Sequence, residues 1–374
     1  MLHRWQIFKD LEESGRLTGI LLLIATAISM LLANSVVSVS YIGFWEIKVG
    51  AGPLYKTVHH WVNDGLMAAF FLLVGLEIKR ELLDGELASP RKAALPLVAA
   101  LGGVVLPAVI YISFNAGLPS MTGWAIPMAT DIAFSLGILS MLGRRVPASL
   151  KIFLTALAVI DDLFAIVIIA VFYTHQLAAT YLIYAGIVLV GLFLMNRFGI
   201  LTWWLYVLAG LLLWFFVLKS GIHATLAGVM LALCIPSDIL EDMEHALTKP
   251  VNYLILPVFA LANTAISFSA VSLSDFFTPL SLGIMIGLVF GKTFGIFSFT
   301  YLGVKSKLCD LSSDIQWSDV VGMGAIAGIG FTMSIFISLL SFTDRTMIDR
   351  AILSVIAGSV ISALVGVLIF RLKK

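Results

Sequence analysis

The stretch of sequence that decides the fold is LTALAVIDDLFAIVII, residues 154–169. Its two adjacent carboxylates, Asp161 and Asp162, stand in the middle of a run that is otherwise apolar except for one threonine. Apolar runs of about 17 to 25 residues form membrane-spanning helices. A carboxylate inside such a helix is costly and usually marks a functional site. The stretch therefore predicts a membrane-spanning helix with a site at its centre.

The whole chain shares this apolar character. Of its 374 residues, 60% are hydrophobic and 12% are charged, whereas a soluble domain is about half apolar and a quarter charged. Uncharged runs extend over residues 17–33, 93–130, 180–196 and 351–370. This balance excludes an ordinary soluble globular protein. It predicts an all-α polytopic protein of the lipid bilayer, in which residues 1–374 form a single membrane domain.

Charged and turn residues divide the chain into about twelve predicted transmembrane helices. The spans cover residues 14–33, 59–84, 95–116, 121–143, 151–174, 180–198, 202–218, 223–236, 248–268, 280–303, 318–341 and 350–371. An even number of spans puts both termini on one side. With both termini in the cytoplasm, the inner segments hold 17 lysines and arginines and the outer segments five, with Lys292 left inside a span. Since cytoplasmic loops carry such an excess, we predict cytoplasmic N- and C-termini.

Charge and cysteine usage exclude several partners. The formal net charge is +1 and the chain has no basic tract, so we expect no nucleic-acid partner. Cys234 and Cys309 lie far apart among apolar neighbours and form no CxxC pair. They indicate packing residues rather than a disulfide framework or a metal site. We expect no cofactor.

One predicted loop is long, from residue 35 to residue 57 on the outer side. Within it the segment YIGFWEIKV, residues 41–49, alternates in part between apolar and polar residues, and Gly-Ala-Gly follows. This pattern predicts a small periplasmic β-hairpin over residues 41–52. The edge of such a hairpin can pair with a second copy of itself, which would make a homodimer. An amphipathic loop without strands is the alternative.

Ionisable residues within the predicted spans are the candidate site residues. Adjacent residues point about 100° apart on a helix, so Asp161 and Asp162 cannot face the same point. Two close carboxylates repel each other, which favours a proton on one of them near neutral pH. Such a pair can hold either a proton or a cation. A salt-bridged pair that only packs helices together is the alternative.

Lys292 lies in FGKTFG, residues 290–295, within an otherwise uncharged span. A lone ammonium in lipid is very unfavourable, so we expect it to pair with Asp161 or Asp162. A side chain that extends to the membrane surface is the alternative.

Two predicted spans contain features that break helices. One is WAIPMATDIAFS, residues 124–135, with a proline ahead of Asp131, and the other is GMGAIAGIGFTMS, residues 322–334, with four glycines. Each break lies in the middle span of a set of three. Together they predict inverted repeats with two discontinuous helices that cross at mid-membrane. Asp131 would then offset the positive helix ends and Lys292 the negative ones. Close packing through small residues is the alternative.

Several long segments, taken in order, carry a resemblance to a known family. They are residues 59–81 (HHWVNDGLMAAFFLLVGLEIKRE), 129–135 (ATDIAFS), 158–163 (AVIDDL), 219–228 (KSGIHATLAG) and 328–337 (GIGFTMSIFI). They resemble the NhaA family of bacterial sodium/proton antiporters. The resemblance implies a pH-regulated, electrogenic secondary transporter of the bacterial inner membrane. It would extrude Na+ or Li+ in exchange for H+ by alternating access, and so support pH homeostasis and salt tolerance.

The resemblance also implies roles for individual residues. Asp161 and Asp162 would be the central carboxylates that bind Na+ and protons. Thr130 and Asp131 would lie at the helix crossing, and Lys292 would supply the opposite charge there. A cytoplasmic cluster would adjust activity to pH, and His223 is linked to the same response. The cluster consists of Glu77, Arg80, Glu81 and Glu244. Where the family has a lysine one turn before Glu244, this chain has Glu241, which bears on the pH set-point.

Some of these assignments have alternatives. His223 can be a packing histidine with its hydrogen bonds satisfied. The cluster around Glu77 can be a solvated helix end.

Other functions that use membrane carboxylates fit the sequence less well. An intramembrane aspartyl protease needs its aspartates on separate helices, whereas these two are adjacent. A prenyl-transfer enzyme needs two aspartate-rich motifs to hold magnesium and diphosphate, and only one Asp-Asp pair occurs. A sodium channel is a further alternative, but a lysine that competes with sodium for the carboxylates would favour occlusion of the ion over conduction. We therefore expect a transporter and not an enzyme, with another sodium-coupled secondary transporter as the alternative.

Overall fold

The computed structural model describes residues 16–174, 177–268 and 272–373. Helices make up most of this part of the chain. In chain order they are α1 Arg16–Ala33, α2 Ser38–Glu46, α3 Val58–Leu83, α4 Pro90–Asn115, α5 Ile132–Met141, α6 Ala148–Phe172, α7 Ala179–Arg197, α8 Trp203–Ser220, α9 Leu226–Cys234, α10 Leu240–Pro250, α11 Leu256–Asn263, α12 Pro279–Lys305, α13 Trp317–Ala327, α14 Phe331–Ser341 and α15 Arg345–Leu372.

Many of these helices are long and apolar enough to cross a membrane. Within the described ranges there are eight such helices, or up to ten when each of two bent pairs is counted as one span. The bent pairs are Pro119–Met128 with α5, at 42°, and α13 with α14, at 47°. This confirms an all-α polytopic membrane protein. The total of twelve spans stays a prediction.

Two predicted spans differ most from the observed helices. The span predicted at 223–236 contains only the nine residues of α9, because Gly221 ends α8 in a left-handed conformation and Ile235 is extended ahead of a proline. Helical structure in the next predicted span begins at Leu240 rather than at residue 248. It passes through a π-helical segment, Val251–Ile255, into α11 and ends at Asn263.

The predicted hairpin is wrong in its first half. Residues 38–46 form helix α2, and the paired strands are β1 Lys48–Val49 and β2 Lys56–Thr57, antiparallel with Lys48 opposite Thr57. One contact within the helix and one outside it stabilise this conformation. Tyr41 and Trp45 are one turn apart, and the centroids of their rings are separated by 6.0 Å. The Tyr41 hydroxyl lies 2.9 Å from Ser29 Oγ. The hairpin therefore covers residues 48–57 and not 41–52.

The chain divides into two compact units. Among the described residues, the first consists of residues 16–24, 86–165, 267–268 and 272–373. Its helices α4 and α12 pack closely, since a Cβ atom added to Gly102 would lie 2.2 Å from the carbonyl oxygen of Gly295. Both bent pairs belong to this unit.

Among the described residues, the second unit consists of residues 25–85, 166–174 and 177–266. Its apolar core joins α3, α7, α8 and α9 through residues that include Leu76, Leu192, Tyr206 and Leu231. Two of its spanning helices, α7 and α8, leave many apolar side chains exposed, as helices that face lipid do.

Candidate functional site

The first broken helix is interrupted where its backbone cannot stay helical. Pro127 lacks an N–H, Ala129 is extended, and α5 starts again at Ile132. Asp131 caps this new start, with Oδ1 accepting a hydrogen bond of 3.1 Å from the amide of Phe134. In the second broken helix, the interruption falls at residues 328–330, between α13 and α14.

The two interruptions meet in the structure. The amide of Asp131 donates to the carbonyl of Ile329 at 2.7 Å. The Thr130 hydroxyl lies 2.8 Å from the carbonyl oxygen of Ala327, and Ser135 donates to Ile326 at 3.1 Å. The last carbonyls of a helix lack a full set of partners within it, and these contacts add donors to the carbonyls of Ile326 and Ala327. The predicted meeting of two discontinuous helices is therefore present, while its depth in a membrane stays a prediction.

Asp131 serves the starts of two helices at once. Besides capping α5, its Oδ2 accepts a hydrogen bond of 3.0 Å from the amide of Thr332, in the first turn of α14, and a second one from the Thr332 hydroxyl. A carboxylate at a helix N-terminus offsets the positive end of the helix dipole. The side chain is 3% exposed. Asp131 thus lies at both positive ends, as its expected role requires.

Asp161 and Lys292 form a buried ion pair beside the crossing. Lys292 Nζ contacts Asp161 Oδ2, and both side chains are fully buried. The Thr130 hydroxyl lies 2.7 Å from the same Oδ2. Because this hydroxyl has one proton, it can donate either to Asp161 or to Ala327 at a given time. The structure thus brings Thr130, Asp161 and Lys292 together, and a Lys292 side chain that reaches the surface is excluded.

The carboxylates retain capacity to bind a cation. Within the described chain, Asp161 Oδ1 is buried without a hydrogen-bond partner. Asp162 follows on α6 and is 2% exposed. A hard cation prefers oxygen ligands, and carboxylate, hydroxyl and carbonyl oxygens lie close together here. The arrangement can exchange a proton for a cation at the same carboxylates.

The predicted cytoplasmic cluster also forms, and it is centred on Arg80. Its Nε lies 2.9 Å from Glu244 Oε2 on α10, and its Nη1 lies 3.2 Å from Glu81 Oε1. Glu81 is 8% exposed, and Glu77 interacts electrostatically with the other three residues. A fully solvated helix end does not describe this cluster. Glu241, in contrast, lies on an exposed face of α10, 3.8 Å from His245.

His223 has a defined partner in the second unit. Its Nε2 lies 2.6 Å from the carbonyl oxygen of Tyr173, so Nε2 must carry a proton because a carbonyl only accepts. The ring lines a cavity of about 230 Å³ together with His60 and Asp64. Those two residues contact each other at 2.9 Å. The geometry is compatible both with a packing role and with a response to pH.

Some residues that contact these sites were not predicted from the sequence. Lys79 donates to the carbonyls of Leu233 and Ile235 and so caps the end of α9. The Ser359 hydroxyl accepts hydrogen bonds of 3.3 Å from the amides of Gly330 and Phe331, at the start of α14. A serine within an apolar helix carries no signal that it caps another helix. These contacts depend on tertiary structure alone.

Comparison with known proteins identifies the family. The model of the family described as Na+/H+ antiporter 1 matches residues 9–370. The Na(+)/H(+) antiporter NhaA of Cytophaga hutchinsonii is 47% identical, over 97% of this chain and 94% of that protein. The Na(+)/H(+) antiporter NhaA 2 of Flavobacterium johnsoniae is 49% identical, over 96% and 91% respectively. The NhaA of Nitrobacter hamburgensis is 48% identical, over 100% and 93%. With the buried carboxylates at a crossing of broken helices, these matches show that the chain belongs to the Na+/H+ antiporter 1 family.

Proposed function

We propose that this chain is an electrogenic antiporter that extrudes Na+, or Li+, in exchange for H+ across a bacterial inner membrane. It is a transporter and not an enzyme. The observation that carries the proposal is the buried Asp161–Lys292 pair, which lies beside Asp162 and against the crossing of the broken helices.

Sodium and protons compete for the same carboxylates in this mechanism. Protonated Asp161 and Asp162 are neutral and do not attract a cation. Once they release their protons to one side, two buried negative charges remain beside the single positive charge of Lys292. A sodium ion then supplies the missing positive charge, with carboxylate oxygens as ligands. Alternating access exposes the same carboxylates to each side of the membrane in turn.

Net charge moves whenever more than one proton is exchanged for each sodium ion. Two carboxylates provide two positions for protons against one sodium ion. Each elementary charge that crosses gains about 2.3 kcal/mol per 100 mV of membrane potential. The potential, negative inside, then drives proton entry and sodium extrusion. Such exchange serves pH homeostasis and salt tolerance.

The proposal includes regulation, topology and assembly. The cluster of Arg80 with Glu77, Glu81 and Glu244 adjusts exchange to pH, with His223 as a second group. The membrane domain has twelve spans in inverted repeats and cytoplasmic termini. The repeats are supported by the order of elements along the chain. A bent pair lies between the long helices α4 and α6, and the second bent pair lies in the same way between α12 and α15. The hairpin at residues 48–57 pairs with a second copy in a homodimer, which its exposed first strand supports.

Reconstitution in proteoliposomes tests the function. A pH gradient is preset, acidic inside, and sodium is then added outside without any organic solute. An antiporter must dissipate the gradient, with rates that depend on pH and sodium concentration, while potassium has no effect. If sodium moves protons only when a co-transported solute is present, the chain is another kind of sodium-coupled transporter and the proposal is wrong.

A further inference from the structure

The C-terminal end of the chain is tied to the start of the second broken helix. Lys373 Nζ lies 2.7 Å from Asp319 Oδ1 and 2.8 Å from Asp319 Oδ2. Asp319 belongs to the first turn of α13 and is fully buried, whereas the Lys373 side chain is about one-fifth exposed. Lys373 directly follows α15. The ammonium of Lys373 thus neutralises a buried carboxylate.

Asp319 also organises the start of α13. Its Oδ2 accepts a hydrogen bond of 2.9 Å from the amide of Gln316, while the Gln316 side chain accepts one from the amide of Asp319. This reciprocal cap satisfies two backbone amides at the start of α13. Because Lys373 holds the same carboxylate, the end of α15 and the start of α13 are joined through one side chain. Arg145 adds a further contact to this end, donating to the carbonyl of Arg371 at 3.3 Å.

The other end of α13 lies at the ion site. Its eleven residues form a rod about 16 Å long. At the far end the carbonyls of Ile326 and Ala327 contact Ser135 and Thr130, and Thr130 in turn contacts Asp161. Along its length α13 packs against the helix of Lys292, where a Cβ added to Gly324 would lie 3.1 Å from the carbonyl oxygen of Thr293. A shift at the start of this rod therefore moves the groups around Asp161.

We propose that Lys373 is a positioning residue of the antiporter. Through its ion pair with Asp319 it sets the placement of α13, and through α13 it sets the distance of the Ala327 carbonyl and Thr130 from Asp161. Lys373 itself touches neither sodium nor the exchanged protons. The inference rests on the proposed role of Asp161 in exchange, and it adds a role for the C-terminal residues that the ion site alone does not indicate.

The test compares sodium-dependent exchange by the parent with that by Lys373→Met in proteoliposomes. Loss of the ammonium leaves Asp319 buried without its counter-charge, so α13 must shift. We expect the sodium concentration for half-maximal exchange to rise by about two- to thirty-fold, the range of couplings carried through packed elements. The maximal rate should change far less. Lys373→Arg retains the charge and should restore the parent's value.

Further variants separate positioning from a loss of folded protein. Asp319→Asn keeps the shape and the bond to Gln316 but breaks the ion pair, so it tests the proposal even if Lys373→Met fails to fold. The double variant should need no higher sodium concentration for half-maximal exchange than Lys373→Met, because both changes remove the same interaction. Lys307→Met, which removes an exposed ammonium from the loop ahead of α13, should leave the sodium dependence unchanged.

The outcomes are distinct. An unchanged sodium dependence in well-folded Lys373→Met and Asp319→Asn overturns the positioning role, and so does a fall in maximal rate alone. Absence of sodium-dependent proton movement in the parent would instead count against the proposed function.

Discussion

At the scale of single residues, the proposed ion site contains two buried carboxylates and one buried ammonium. Asp161 is paired with Lys292 and lies against Thr130, so part of its negative charge is already offset. Asp162 is equally buried on the same helix. Lys292 also interacts electrostatically with Asp162, so one buried ammonium faces two carboxylates.

Asp162→Asn tests the central carboxylate. Asparagine retains the size of the side chain and one oxygen but loses both the charge and the titratable proton. We therefore expect sodium-dependent proton movement to be abolished, while the protein still inserts and folds. Calorimetry at high pH measures sodium binding directly. Binding with the parent's affinity in this variant would contradict the assignment.

Lys292→Ala tests the buried ion pair. The substitution leaves Asp161 charged and buried without its partner, which costs about 3–5 kcal/mol of stability for pairs of this kind. We expect a lower thermal unfolding temperature in detergent and slower exchange, while sodium binding persists. Lys305→Ala, at the exposed end of the same helix, is the matched control. Its unfolding temperature and exchange rate should be close to those of the parent. A stable variant that moves less charge per cycle would show instead that Lys292 carries a transported proton.

At the scale of helices, the Arg80 cluster joins α3 to α10. The guanidinium contacts Glu81 on its own helix and Glu244 on the other. Several carboxylates around one cation repel one another, so a change of protonation in this cluster alters the force between the two helices. This change in force is the physical basis of the proposed pH response.

Glu244→Gln tests this response, with Glu241→Gln as a control on the same helix. The first removes a charge that pairs with Arg80, and the second removes one from an exposed face, where ion pairs contribute little. We expect the pH profile of exchange to shift for Glu244→Gln, with little change in sodium affinity at the optimal pH. Glu241→Gln should shift it less. Identical profiles for both variants and the parent would remove the regulatory role of the cluster.

At the scale of the whole molecule, the hairpin is the element proposed to join two copies. Its ends are adjacent, since the amide of Val58 donates to the carbonyl of Ile47 at 2.9 Å. Residues 48–56 can therefore be replaced by Asn-Gly while Thr57 still caps α3. We expect the dimer fraction in native mass spectrometry to fall and exchange to continue. A dimer fraction equal to the parent's would show that the copies associate through other surfaces.

The sequence by itself determined the class of protein and predicted the main positions of its candidate site. Apolar runs must become helices in lipid because each backbone polar group needs a partner within its own segment. Pro127 interrupts one helix for a local reason, because proline lacks an N–H, and Gly328 and Gly330 lie at the interruption of the other. A charge within such a run, as at Asp161 or Lys292, is recognisable without any knowledge of tertiary contacts.

Only the tertiary structure decided which groups meet. The sequence left Lys292 with two possible partners, and the rotation of α6 selects Asp161, because neighbouring residues point in different directions. Residues 41–46 alternate like a strand, yet the contacts of Tyr41 and Trp45 hold them in a helix. Lys373 and Asp319 are distant in sequence and unremarkable in composition. Their pairing depends on where whole helices end in space, and no local pattern of residues encodes that position.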